Sequence, residues 1–350
     1  MKTSDFDYNL PPERIAQTRL EPPDSSRLLV LDKKTGAFEH RIFAEIGKFL
    51  RAGDLLVVND TKVFRARLHG TVDGKKLEIF LVRPHGDSWV TLVKPRKKLK
   101  LGSVIDLGFD VSLSVLALPE DGTAIVKPSI SDSELIDFAN AHGEIPVPPY
   151  IERAPEKLEG YQTIFARETG SVAAPTAAFH FTPRLIEELK KQGIEFASIT
   201  LHVGLGTFQP IKVDDLSNHP MHEEWVEISK ETTEKINLAK REGRRVIAVG
   251  TTTTRALEGV AARCHLGQCC HPEAEGSCIT AFSGDVNIFI TPGFEFKIID
   301  GLITNFHLPK STLLALVSAL AGRENIMRAY EEAIELKYRF FSFGDAMFIR

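Results

Sequence analysis

Between residues 62 and 128 the chain carries six short apolar stretches and no helical period, and this block constrains the fold most. RARLHGTV, KKLEIFLVR, SWVTLVK, VIDLG, VSLSVLAL and TAIVK are rich in β-branched and large apolar residues. DG, HGD, GFD and PEDG punctuate them with turn chemistry. Close-spaced strands without intervening helices suggest a small antiparallel β-barrel. One helix follows: Ser131 and Glu134 form an S-x-x-E capping box, Leu135, Ile136 and Phe138 give it an apolar face, and Gly143 closes it. The stiff linker EIPVPPY comes next.

The rest of the chain has another rhythm. FTPRLIEELKKQG reads as a helix with Thr182 as N-cap, Pro183 at the first turn and Gly193 at its end. FASITLHV, RRVIAVG and DGLITNF read as strands, and ETTEKINLAKREG, TTTTRALEGVAAR and STLLALVSALAG as helices. Strand–helix alternation predicts a mostly parallel or mixed sheet covered on both faces. Residues 1–61 add the strands RLLVLD and DLLVVND. The fold class expected is therefore two-domain α/β: a discontinuous α/β domain over 1–61 plus 146–350, interrupted by an inserted antiparallel β-barrel domain over 62–145.

At 350 residues, 43% hydrophobic and 26% charged, the chain is long enough for two buried cores. The net charge of -4 excludes a whole-molecule basic field, so nucleic acid must be met by a local patch. Such a patch exists. Residues 62–100 carry a net +8 and residues 101–149 a net -7, with KPRKKLK the densest part. Lys94, Arg96, Lys97, Lys98 and Lys100 are the candidate phosphate contacts; the alternative is a solvated hairpin. MKTSDFDYNL has no basic region followed by an apolar core, and no apolar run approaches ~20 residues, so no membrane association and a cytoplasmic location are expected.

Ligands of open α/β sheets gather at the carboxyl ends of the strands. LHVGLGTF, VGTTTTR and TNFHLPKST follow three of the predicted strands, and His180, His202, His219, His222 and His307 lie in or beside such loops. Imidazole suits proton transfer near neutrality. VGTTTTR lacks the G-K-[ST] ending of a P-loop, and VGLGTF lacks the third glycine of a dinucleotide fingerprint. HPMHEEW, residues 219–225, has the ligand types of a metal site, but Pro220 disfavours the helix that would align its histidines. From the residues alone three readings stand. One is an α/β enzyme with a polar, His-lined pocket. The second is a metal-dependent hydrolase built on His219, His222 and Glu224, and the third a non-catalytic protein that binds a polyanion through the basic strands, which the resemblance given next would make a tRNA-binding protein. Cys264, Cys269, Cys270 and Cys278 fall within fifteen residues without a C-x-x-C pair, which reads as a loop of reduced thiols.

Taken together, the long stretches DFDYNLPPERIAQ, GDLLVVNDTKVFRARLHG, GSVAAPTAAFHFT, TLHVGLGTFQPI, HPMHEEWVEI, VIAVGTTTTRALE, FITPGFEFKIIDGLITNFHLPKSTL and YRFFSFGDAMFI closely resemble the QueA family, S-adenosylmethionine:tRNA ribosyltransferase-isomerases of queuosine biosynthesis. The resemblance implies an α/β domain with an inserted β-barrel. It implies transfer and isomerisation of the ribosyl group of S-adenosylmethionine onto 7-aminomethyl-7-deazaguanine at the tRNA wobble position. The products are epoxyqueuosine-tRNA, adenine and methionine. It implies no bound prosthetic group and no metal, with S-adenosylmethionine as a substrate, tRNA as the partner, and a monomer. Carried over by position, His180, His202, His222, Glu224 and Asp345 are the candidates for proton transfer or charge stabilisation. Thr176, Thr251, Arg255, Asn305, His307 and Arg339 are those for binding and orienting substrates. Glu223 does not match the family's acidic position and is expected to face solvent. The chain departs from the usual pattern at Ala178, Phe179, Leu205, Lys62 and Arg65, and its cysteine-bearing loop is longer than typical.

Overall fold

A computed structural model describes residues 1–204, 213–216, 223–265 and 279–350. In chain order its strands are β1 (Arg27–Leu31), β2 (Phe38–Ile42), β3 (Leu55–Asn59), β4 (Thr61–Val63), β5 (Arg67–Val72), β6 (Lys75–His85) and β7 (Ser88–Lys94). They continue as β8 (Val104–Gly108), β9 (Val111–Ala117), β10 (Thr123–Pro128), β11 (Glu168–Ser171), β12 (Glu195–Leu201) and β13 (Glu224–Ile228). The last are β14 (Val246–Val249), β15 (Phe282–Val286), β16 (Gly301–Asn305) and β17 (Ala346–Ile349). The α-helices are α1 (Asp132–His142), α2 (Pro183–Lys191), α3 (Lys230–Arg241), α4 (Thr251–His265), α5 (Thr312–Ala321) and α6 (Arg323–Glu335).

The six predicted strands close into a barrel in the order β10-β7-β6-β5-β8-β9. Alternation drives the closure: Leu77, Ile79 and Leu81 of β6 are buried, as are Leu113 and Val115 of β9, against Trp89 and Ile105. α1 stoppers the barrel with Leu135 and Ala139, and Asp132 accepts the indole N–H of Trp89 at 2.7 Å. The capping box at its start is present, Ser131 Oγ accepting from Glu134 N–H and Glu134 Oε2 from Ser131 N–H. After α1 the chain leaves across its own entry: a Cβ on Gly143 would stand 2.3 Å from the Arg65 carbonyl oxygen, so only glycine fits.

The remaining strands form a nine-stranded mixed sheet, β15-β13-β12-β3-β14-β16-β17-β1-β2, with β4 and β11 a separate parallel pair. β12, β3, β14 and β16 are parallel; β13 and β15 extend one edge antiparallel, and β17 runs antiparallel to β16. Period two sorts the side chains. Leu55, Val57, Val246 and Ala248 face the layer of α3, α4, α5 and α6, while Leu56, Val58, Ile247 and Val249 face α2 and the 3-10 turn at Phe43–Phe49. β2, β4, β11, β13, β15, β17 and α6 complete the α/β part without having been foreseen. FEHRI and FSGDV are half-exposed edge strands with little apolar signal, and AMFI is only four residues long.

Ser131→Ala removes an N-cap and is expected to lower stability by about 1 kcal/mol. Urea unfolding followed by the fluorescence of Trp89, buried beneath α1, measures it.

Candidate active site

The carboxyl ends of β3, β12, β14 and β16 lie at one edge of the sheet, joined there by the amino ends of the antiparallel β13 and β17. Asn59, the last residue of β3, fixes two of these ends. Its amide nitrogen donates to the Leu201 carbonyl at 2.9 Å and its oxygen accepts from Leu201 N–H at 3.1 Å. Asp60 accepts from Thr200 Oγ1 at 2.7 Å beside it.

A cleft opens at this edge, lined by Ala174, Thr176, Val203, Thr251, Asn305 and His307 among others. Thr176 begins a short 3-10 turn that ends at His180, and its hydroxyl donates to Asn305 Oδ1 at 3.0 Å. Asn305 Nδ2 then donates to His180 Nε2 at 3.1 Å, which leaves Nδ1–H to donate to Ser26 Oγ at 2.7 Å. The Ser26 hydroxyl in turn donates to the Pro23 carbonyl at 3.0 Å. Both ring nitrogens of His180 are thus engaged, and its ring packs on Phe43. Burial, reinforced by the neighbouring Arg19 and Arg339 guanidinium groups, pushes its pKa down to about 3.

The other two described candidate histidines are neutral for the same reason. His307 is buried beside Thr304 Oγ1 at 3.0 Å, and burial takes it to about 3. His202 follows β12, bonds Thr61 Oγ1 through Nδ1 at 2.8 Å and stacks on Trp225; burial takes it to about 4. A Cβ at Gly170 would sit 2.5 Å from its Nε2, so that glycine makes room for the ring. His202 does not itself line the cleft; its neighbour Val203 does.

Glu224 opens β13 and pairs with Arg255 of α4 at 2.6 Å, both almost wholly buried. Glu223 is exposed. His219 and His222 lie outside the described residues. So do Leu205 and Cys269, Cys270 and Cys278. Asp345 is buried and accepts from two backbone N–H groups, Arg27 at 2.9 Å and Arg339 at 2.8 Å. Burial raises its pKa and those amides partly offset the rise. It therefore clips β1 to the loop before β17 and orients Arg339, whose guanidinium reaches the Thr18 carbonyl. Thr251 is the first residue of α4.

Several site residues carried no signal in the sequence. Arg19 lies over the Phe179 ring at 4.4 Å and donates to the Phe179 carbonyl at 3.1 Å. With Ser26, His180 and Ser342 it lines a second, smaller cavity. Tyr150 of EIPVPPY bonds Ser342 Oγ at 2.7 Å and meets Phe341 edge-on, so the linker from the barrel touches the cleft wall. Phe341 takes a left-handed φ of 72°, a local strain of the kind held at functional sites. Among the described residues no three His, Cys, Asp or Glu side chains gather as a metal-binding group.

The basic run divides. Arg96 donates to the carbonyls of Thr123 and Pro119, and Lys98 to that of Lys76 at 3.1 Å. Lys94, Lys97 and Lys100 are exposed. KPRKKLK is thus a 3-10 turn after β7, half of it tied to the barrel backbone.

The queuosine biosynthesis protein family matches residues 3–349 of the chain. The S-adenosylmethionine:tRNA ribosyltransferase-isomerase of Thermotoga maritima is 50% identical over 351 residues, covering both chains entirely. That of Carboxydothermus hydrogenoformans is 51% identical over 351 residues, again covering both entirely. Among solved structures, the crystal structure of the S-adenosylmethionine tRNA ribosyltransferase from Thermotoga maritima matches with a TM-score of 0.56 and 41% identity. It covers 99% of this chain and 100% of that one.

His180, His202 and His307 have folded pKa values below the ordinary 6.5, so the unfolded chain binds more protons between those values and 6.5. Stability is therefore expected to fall as pH drops from about 6.5 towards 4, with up to three histidine protons taken up on unfolding. In His307→Gln the loss between pH 7 and 5 is expected to be smaller by about 2 kcal/mol. Urea midpoints of both proteins at the two pH values decide it, and parallel losses would show that His307 titrates normally.

Proposed function

This chain belongs to the queuosine biosynthesis protein family, and on that ground we propose that it is an S-adenosylmethionine:tRNA ribosyltransferase-isomerase. The observation that carries the proposal is similarity at about half of all positions over the entire length of relatives bearing that name. The cleft at the sheet edge supports it, being lined by hydroxyl, amide and neutral imidazole groups suited to a polar small molecule. The donor is S-adenosylmethionine. The acceptor is 7-aminomethyl-7-deazaguanine at the wobble position of tRNA, and the products are epoxyqueuosine-tRNA, adenine and methionine. The enzyme acts without a metal, as a cytoplasmic monomer; no helix of the described residues is long and apolar enough to cross a membrane.

The sulfonium acidifies the adjacent C5′–H of the donor, so a neutral base can remove that proton. The neutral acceptor amine forms a C–N bond to the rearranging ribosyl group and loses a proton; the glycosidic bond breaks with adenine protonated as it leaves, and the C5′–S bond breaks with methionine leaving as the neutral thioether. His202, beside the cleft residue Val203, is proposed for proton transfer on the family resemblance; burial keeps it neutral at physiological pH, and Thr61 and Trp225 fix its ring. His180 serves as a positioning residue, because its Nε2 holds the Asn305 amide that Thr176 holds from the other side. Asp345 positions Arg339 in the same way, through backbone amides. Thr176, Thr251, Asn305 and His307 bind substrate at the cleft; Glu224 and its ion-pair partner Arg255 are proposed for charge stabilisation and substrate binding on the family resemblance alone. His222 is proposed as a proton carrier on the family resemblance alone.

The test is product analysis. Adenine and methionine are expected only when S-adenosylmethionine and tRNA bearing the aminomethyl base are both present, and chelators are expected to leave the rate unchanged. Formation of S-adenosylhomocysteine would overturn the proposal. For the partner, Lys97→Glu combined with Lys100→Glu is expected to weaken tRNA binding and reduce the slope of log affinity against log salt by about two contacts. Filter binding across a salt series reads both, and an unchanged slope would return the run to a solvated turn.

A further inference from the structure

α4 runs for fifteen residues from Thr251 to His265, with its amino end open to the cleft. The first amides of a helix have no partners within it, and the helix dipole adds partial positive charge there. Gly250 precedes it at φ +97°, a conformation that suits glycine and brings the chain round from β14 in one residue. The threonines that follow are not equivalent. Thr253 Oγ1 donates to the Val249 carbonyl at 2.8 Å and Thr254 Oγ1 to the Gly250 carbonyl at 3.3 Å. Thr252 is only 7% exposed, lines the cleft, and its Oγ1 has no hydrogen-bond partner. A Cβ on Gly250 would lie 3.5 Å from that oxygen, so the hydroxyl points to the mouth of the helix. A buried hydroxyl left without a partner costs free energy, and a ligand that accepts from it removes the cost.

The cleft also tells which kind of acceptor fits. Among the described residues its lining holds no Asp or Glu to repel an anion, and no Lys or Arg to give a full counter-charge. These residues offer dipoles, which suits one carboxylate better than a polyanion. We infer that the amino end of α4, with Thr252, is the seat of the α-carboxylate of S-adenosylmethionine. The inference rests on the ribosyltransferase reading, whose donor carries that one carboxylate. The phosphates of tRNA are the other anions in the reaction, but they lie on the outside of a macromolecule while Thr252 lies below the cleft surface.

Adenine release at saturating substrate tRNA is the assay, with S-adenosylmethionine and its decarboxylated analogue as donors. Thr252→Val removes the hydroxyl at constant shape, and Thr252→Ser keeps it. Thr252→Val is expected to raise KM for S-adenosylmethionine about tenfold with little change in kcat, and Thr252→Ser to restore it. The decarboxylated donor is expected to be about tenfold poorer with wild-type protein and no poorer still with Thr252→Val. Equal losses for both donors, or a Thr252→Val enzyme like wild type, would overturn the carboxylate seat and leave the activity standing. Should Thr252→Val lower the melting temperature, the two donors on wild-type protein decide, and equal use of both overturns the seat. No adenine release from S-adenosylmethionine by wild-type protein would overturn the activity and the seat together.

Discussion

β3 pairs in parallel with β12 on one side and with β14 on the other, so Asn59, Leu201 and Val249 end together. Everything at the cleft depends on that register. Asn59 seals it on one side by using its amide as a two-way rung to Leu201, where the backbone ladder has run out. A one-residue slip would turn Val57 and Val58 to the wrong layers and break those bonds at once. β16 and β17 extend the same edge, so Asn305 and Asp345 arrive beside residues far away in sequence.

Burial gives the site its electrostatic character. Three histidines sit where a positive charge is costly, and each meets that constraint through a neutral partner rather than a carboxylate: Ser26 and Asn305, Thr61, and Thr304. The full charges belong to other side chains: Glu224 with Arg255, and the guanidinium groups of Arg19 and Arg339 that neighbour His180. A sulfonium donor brings its own positive charge, and neutral imidazoles admit it where imidazolium would repel it.

Periodicity made the barrel and most of the sheet legible, because LEIFLV, VSLSVLA and VIAVG each commit one or both faces to a core. The edge strand FEHRI was not legible: it is half-exposed and its pairing to β1 depends on a partner the local pattern does not show. Candidate residues were legible by type but not by role. His180 reads as an acid–base group until Asn305 and Ser26 occupy both its nitrogens, and Asp345 reads the same way until two amides occupy its oxygens. Glu223 and Glu224 are adjacent and identical residue types; the family resemblance singles out Glu224, and strand alternation buries it while leaving Glu223 exposed. Arg19, Thr61 and Ser342 had no signal, since each gains its place from a contact across the fold.

The relay from Thr176 through Asn305 and His180 to Ser26 also divides space. Thr176 and Asn305 face the main cleft, while His180 and Ser26 face the smaller cavity beneath Arg19. Ser342 borders both and is tied to Tyr150 in the linker that leaves the barrel. The linker EIPVPPY therefore meets the wall between the two cavities through the Tyr150–Ser342 hydrogen bond and the edge-on contact of Tyr150 with the strained Phe341.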